Sequence, residues 1–194
     1  FVGVSLGRML WQWVQDLAAR YATEEEYSAE AKPLLALRRW LTLIVVVGGG
    51  KAARRTGAEL VNILGDRVTA GVLNVYQEQA QEPISDKIKL IAADHPTPNE
   101  EGVKGAQQMA ELLKAADART LVIALISGGG SSLMALPVEG VSLEDYKDIS
   151  KLLLTVPATI DEINAVRKHL DPLKGGGMRK YAEHAGGFIS LVLS

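Results

Sequence analysis

Apolar residues follow two rhythms along this chain. Leu43 to Val47 and Leu121 to Ile126 are continuous runs, and Phe188 to Leu193 is broken only at Ser190, the pattern of buried strands. Gly71 to Tyr76 and Ile88 to Ala92 read as two further strands. Elsewhere the spacing is helical. Leu6, Leu10, Trp13, Leu17 and Tyr21 form one stripe over about 4–22, and Leu143, Tyr146, Ile149, Leu152 and Leu153 form another. Ile160, Ile163, Val166 and Leu170 form a third, opposite Asn164, Arg167, Lys168 and Asp171 on a shared polar face. Local signals place the helix starts. Asn99 can cap a helix running to about Asp117, while Ser142–Asp145 and Thr159–Glu162 have the form of capping boxes. A further helix is expected at about 51–65. Strands alternating with helices predict an α/β fold, a mostly parallel sheet covered on both faces, as one domain over residues 1–194.

Composition narrows this picture only in part. The chain has 194 residues, 47% of them hydrophobic, enough to bury a real core. A net charge of -2 and the lack of a long basic run argue against a nucleic-acid partner. Arg8, Gln12, Gln15 and Asp16 interrupt the apolar N-terminal stretch, so a spanning helix is not expected and a membrane partner is not expected either. There are no cysteines, which excludes a disulfide scaffold or thiolate metal site and fits a cytoplasmic location. His95, His169 and His184 lie too far apart to suggest a metal-ligand spacing.

The candidate chemistry lies in glycine clusters that follow the apolar runs. Leu121 to Ile126 breaks into Ser127-Gly128-Gly129-Gly130-Ser131-Ser132. Such a turn lets a ligand approach the main chain, where successive N–H groups and serine hydroxyls can hold phosphate or carboxylate. Leu43 to Val47 runs into Gly48-Gly49-Gly50-Lys51, and Lys174-Gly175-Gly176-Gly177 is a third cluster beside a cation. In a parallel sheet, loops at the carboxyl ends of strands can face one crevice. A Walker A loop is excluded, because Val45 stands where its first glycine belongs and Ala52 where its Ser or Thr belongs. The dinucleotide fingerprint fits only loosely, with Ala53 in its last position. Lys51 and Arg167 are the candidates for stabilising charge on a transferring group. The phosphate- or substrate-binding candidates are Gly50, His95, Ser127, Gly128, Gly129, Gly130, Ser131, Ser132, Asn164, Lys174 and Gly175.

Several ordered segments together resemble one family, the glycerate 2-kinases that carry a C-terminal MOFRL domain. They are Gly50-Lys51-Ala52-Ala53, His95-Pro96-Thr97-Pro98, and Leu125 to Ser132 with Leu136-Pro137. The most specific is Glu162-Ile163-Asn164-Ala165-Val166-Arg167-Lys168-His169-Leu170, followed by Lys174-Gly175-Gly176. The resemblance implies a three-layer α/β/α Rossmann-like N-terminal domain. It also implies phosphorylation of D-glycerate to 2-phosphoglycerate, with ATP and Mg2+ as cofactors, in a cleft shared with a second domain. Carried over by position, Lys51 and Arg167 would contact substrate or the transferring phosphoryl group, and the Gly128–Ser132 loop would hold an anion with Asn164 and Lys174 nearby.

The chain also departs from the family pattern. Asn99 stands where Asp is usual, Thr155-Val156-Pro157-Ala158 replaces a small-residue turn, and Asp171 occupies a position usually filled by Ser. An acid there must pair with a cation or weaken the anion site. The chain reads as a fragment: it stops before the acidic segment and the MOFRL domain expected next, so no metal ligand is named. Exposed apolar strands at such an edge would favour a homo-oligomer. Two alternatives remain open at this point, a hydroxypyruvate reductase on the same fold and a truncated anion- or nucleotide-binding domain without turnover.

Overall fold

The computed structural model describes residues 42–193, so the helix expected at 4–22 lies outside the described residues. Five strands form one sheet: β1 (Leu43–Gly49), β2 (Val68–Tyr76), β3 (Ile88–Ala93), β4 (Thr120–Ser127) and β5 (Gly187–Leu193). Their order is β3-β2-β1-β4-β5, and every pairing is parallel. Val47 lies between Val72 and Ala124 across the centre, which is why β1 and β4 carry unbroken apolar runs. The edge strands β3 and β5 are only partly buried.

Six helices connect the described strands: α1 (Ala53–Leu64), α2 (Glu100–Ala115), the short α3 (Gly130–Leu133), α4 (Leu143–Thr155), α5 (Ile160–Leu170) and α6 (Gly177–Tyr181). One face of the sheet is covered by Ala106, Met109, Ala110 and Leu113 of α2, with Met134, Leu173 and Met178 beside them. On the other face Ala53 and Leu60 of α1 pack on Val46, Leu73, Val75, Ile123 and Leu125. This is the expected α/β/α arrangement. No described helix is long and apolar enough to cross a membrane.

A wholly buried polar residue joins three elements at the sheet centre. Asn74 of β2 donates both Nδ2 protons, to Gly102 O of α2 and to Leu133 O of α3, each at 2.7 Å. Its Oδ1 has no partner among the described residues and faces Gly105, where a Cβ would overlap the amide. Gly105 is therefore what lets α2 sit this close to β2.

The structure departs from the sequence reading in four places. Strand β2 starts at Val68 rather than Gly71, because pairing with β1 continues through a register shift beside Ile44. The helices α3 and α6 were not expected, being too short to show a stripe. On α5 only Ile163 of the apolar stripe is buried; Ile160 is 62% and Val166 41% exposed. On α4 Tyr146 is buried, yet Leu152 is 62% exposed. Both helices pack chiefly on each other rather than flat on the sheet, so a smaller apolar face is covered.

Candidate functional site

The chain reverses direction across the sheet between β1 and β4, so a crevice opens beyond the carboxyl ends of these two strands. Two glycine turns meet there, closely enough to bond. Lys51 N donates to Gly128 O at 2.8 Å, and Ala52 N donates to Ser127 Oγ at 3.0 Å. Gly50 N donates to Asn74 O at 3.2 Å, and Ala53 N to Gly50 O at 3.1 Å. Gly50 has φ +128°, and a Cβ on it would overlap Ser127 Oγ and the Ser127 carbonyl. The first glycine turn thus spends its amides inside the protein and packs on the second.

The second turn keeps its donors. Among the described residues, the amides of Gly128, Gly129, Gly130 and Ser131 have no hydrogen-bond acceptor. Ser132 Oγ donates to Gly129 O at 3.1 Å, which tightens the turn into α3. A run of free N–H groups in this geometry is a nest for an anion. His95 stands against one flank, since a Cβ on Gly129 would lie 3.0 Å from its Cδ2. The His95 ring meets Tyr76 edge-on, with centroids 5.9 Å apart, and is exposed, as is the Lys51 side chain.

A cavity of about 560 Å³ opens on the other flank. Its polar wall holds Ser127, Gly130 and Ser131 of the turn, Asn164, Arg167 and Lys168 of α5, and Lys174 and Arg179 from the third glycine cluster and α6. Its apolar wall is built by Ile126, Met134, Leu173, Met178 and Phe188. That combination of a greasy wall and convergent cations suits a small anionic molecule with an apolar portion.

Asp171 ends α5 and lies behind the polar wall. It is fully buried, not on the solvated face that its spacing from Asn164 indicates. Its Oδ1 accepts from Leu173 N at 3.0 Å, and its Oδ2 accepts from Leu136 N at 3.0 Å and Tyr146 OH at 3.4 Å. Lys174 Nζ donates to Oδ2 as well. Asp171 has thus taken a cation, one of the two outcomes its position allowed. Burial drives the Lys174 pKa below its ordinary value; Asp171 pulls it back up, and Arg167 pushes it further down. Burial, then the Asp171 carboxylate, raise the Tyr146 phenol well above its usual pKa.

The structure therefore divides the sequence candidates into two groups around one turn. Ser127, Gly130, Ser131, Asn164, Arg167, Lys174 and Gly175 line the cavity. Gly50, Lys51, His95, Gly128, Gly129 and Ser132 do not line it; they form the turn itself or its opposite flank. Arg179 and the apolar wall were missed by sequence reasoning, while Gly176 was seen as part of the third glycine cluster and Lys168 as a helix charge within the family motif. Arg179 stands two residues beyond Gly177, the end of the third glycine cluster, a signal that could have found it.

Comparison with known proteins adds independent findings. Residues 6–194 match the family described as a domain of unknown function, DUF4147. A D-glycerate 2-kinase of Thermotoga maritima is 38% identical over 167 residues, 85% of this chain and 38% of that protein. A putative hydroxypyruvate reductase of Agrobacterium vitis is 40% identical over 150 residues, covering 77% of this chain and 38% of the relative. The crystal structure of a Thermotoga maritima glycerate kinase superposes with a TM-score of 0.73 at 36% identity, over 84% of this chain and 39% of that one. The chain thus spans well under half the length of these relatives.

Proposed function

This chain belongs to the DUF4147 family, the N-terminal domain of glycerate 2-kinases of the MOFRL type, and from that premise we propose that the protein it forms part of phosphorylates D-glycerate at its 2-hydroxyl with ATP. The observation that carries the reading is the cavity beside the glycine turn, where Arg167, Lys168, Lys174 and Arg179 converge opposite an apolar wall. Its volume falls within the roughly 300–1,000 Å³ of small-molecule sites. The cations suit the phosphates of a nucleotide and Met134, Met178 and Phe188 suit an apolar portion. ATP would supply the phosphoryl group. Arg167 neutralises charge on the transferring oxygens, and the free amides of the Gly128–Ser131 turn orient an anionic group. Lys51 acts from the other flank, its backbone fixed by the bond to Gly128. Among the described residues no three His, Asp or Glu gather as a metal site. Magnesium is therefore given no ligand among the described residues, and no step here passes through it.

The Agrobacterium relative's name raises a second reading, reduction of hydroxypyruvate with a dinucleotide. The first βα turn weighs against it. In a dinucleotide fold that turn offers its amides to the pyrophosphate, whereas here Gly50, Lys51, Ala52 and Ala53 donate theirs internally. The test is an assay of the full-length protein with ATP, magnesium and D-glycerate, coupled through enolase so that only 2-phosphoglycerate scores. Turnover is expected, and Lys51→Ala is expected to lower it by about 10²-fold or more while the thermal melt stays intact. Silence in that assay together with NADH oxidation by hydroxypyruvate overturns the kinase reading.

A further inference from the structure

Among the described residues, the lining of the cavity contains no Asp or Glu. Arg167, Lys168 and Arg179 make no ion pair among the described residues, and Arg179 spends one proton on Ala182 O at 2.7 Å. Lys174 is the exception. Its ammonium is joined to Asp171, a carboxylate with no solvent exposure, while the Lys174 side chain, 18% exposed, still lines the cavity. Asp171 cannot move away to release it. Leu136 N, Leu173 N and Tyr146 OH hold both carboxylate oxygens from the α3–α4 connection, its own loop and α4.

We propose that Asp171 is a charge-selectivity residue: it holds Lys174 as an internal counter-ion, so the cavity offers three unpaired cations rather than four and its preference for polyphosphate over singly charged anions is lowered. The physical reason is that the attraction for a bound anion scales with ligand charge times net site charge. Neutralising one of four cations therefore costs a polyanion several times what it costs a monoanion. Burial sharpens the effect, because the pair lies where solvent screens least. The inference deepens the reading of the cavity as an anion site and rests on it.

The test uses inorganic phosphate and pyrophosphate as probes, titrated calorimetrically into the chain. Asp171→Ser removes the charge while leaving a hydroxyl that can accept from Leu173 N two residues on. Asp171→Ser is expected to bind pyrophosphate about tenfold tighter and phosphate less than threefold tighter. Adding Lys174→Met to that variant should abolish the gain, because it removes the cation that Asp171→Ser releases. An unchanged or weaker pyrophosphate affinity in folded Asp171→Ser, or a gain that survives Lys174→Met, overturns the proposal. The unsubstituted chain provides a second measurement that needs no variant to fold. Saturating pyrophosphate should protect Lys168 from acetylation, read by mass spectrometry, and leave the Lys174 rate unchanged. Equal protection of both lysines counts against the proposal. No binding in any chain removes the anion-site reading itself, and this inference with it.

Discussion

At the scale of single residues, the glycines show how one residue type serves two ends. Both triplets were legible as places where something approaches the backbone. What approaches differs: at Gly50 it is the Ser127 peptide, at Gly129 the His95 ring, and at Gly128 open space beside a run of free amides. Gly50→Ala should therefore destabilise the chain by about 2–5 kcal/mol, from strain at positive φ plus overlap with a backbone that cannot retreat. A urea titration checks this, with a lowered midpoint at constant slope as the expected result. Asp171 shows where residue-level reading fails. Helical spacing places it beside Arg167 on a wet face, but its backbone, at φ -143° and ψ 109°, has already left the helix. Periodicity cannot describe a side chain one residue past the last turn. Its burial depends on Leu136 and Tyr146, which are 35 and 25 positions away.

Among elements, the helix starts were the most legible feature because a cap is a local device. Asn99 Oδ1 accepts from Gly102 N at 2.8 Å, and both capping boxes form with reciprocal bonds. The Thr159–Glu162 box carries a pH dependence. Hydrogen bonds from Thr159, first through its backbone and then its hydroxyl, lower the Glu162 pKa below its ordinary 4.5. A depressed carboxyl contributes stability that is present above 4.5 and is lost as pH falls through the lower folded-state value. Hydrogen-exchange protection at the first turn of α5 should thus fall as the pH drops below 4.5 and through the lower folded-state value. In Glu162→Gln, which keeps an acceptor oxygen without the titration, protection should stay flat across that range. Because α5 carries Asn164, Arg167 and Lys168, loosening its start also loosens one wall of the cavity. Element faces were less legible than element starts: Ile160, Val166 and Leu152 obey helical spacing yet stand exposed, since α4 and α5 cover each other.

In the whole molecule, the layers are joined through a few buried polar bonds, and Asn74 is the central one. It links the sheet to α2 and to the turn that offers the free amides. Asn74→Ala takes a buried donor from the Gly102 and Leu133 carbonyls and should cost about 2–4 kcal/mol. Pyrophosphate affinity, measured on the fraction that remains folded, should fall with it, because Leu133 follows directly on Ser131 and Ser132. The alternation of apolar runs and helical stripes was enough to determine a parallel α/β sheet, the caps, and the glycine turns at strand ends, since each depends on residues near one another in the chain. The motifs from Gly50 to Gly176 were enough to point to the family. Strand order was beyond such signals, because pairing β1 with β4 closes a separation of more than seventy residues that no local preference records. Only the tertiary structure decided which amides remain free, which glycine turn faces the cavity, that Arg179 joins Arg167 there, and that Asp171 is buried against Lys174. Each of these depends on which distant groups arrive to compete for a donor, an acceptor or solvent, and that competition is settled only when the chain is packed.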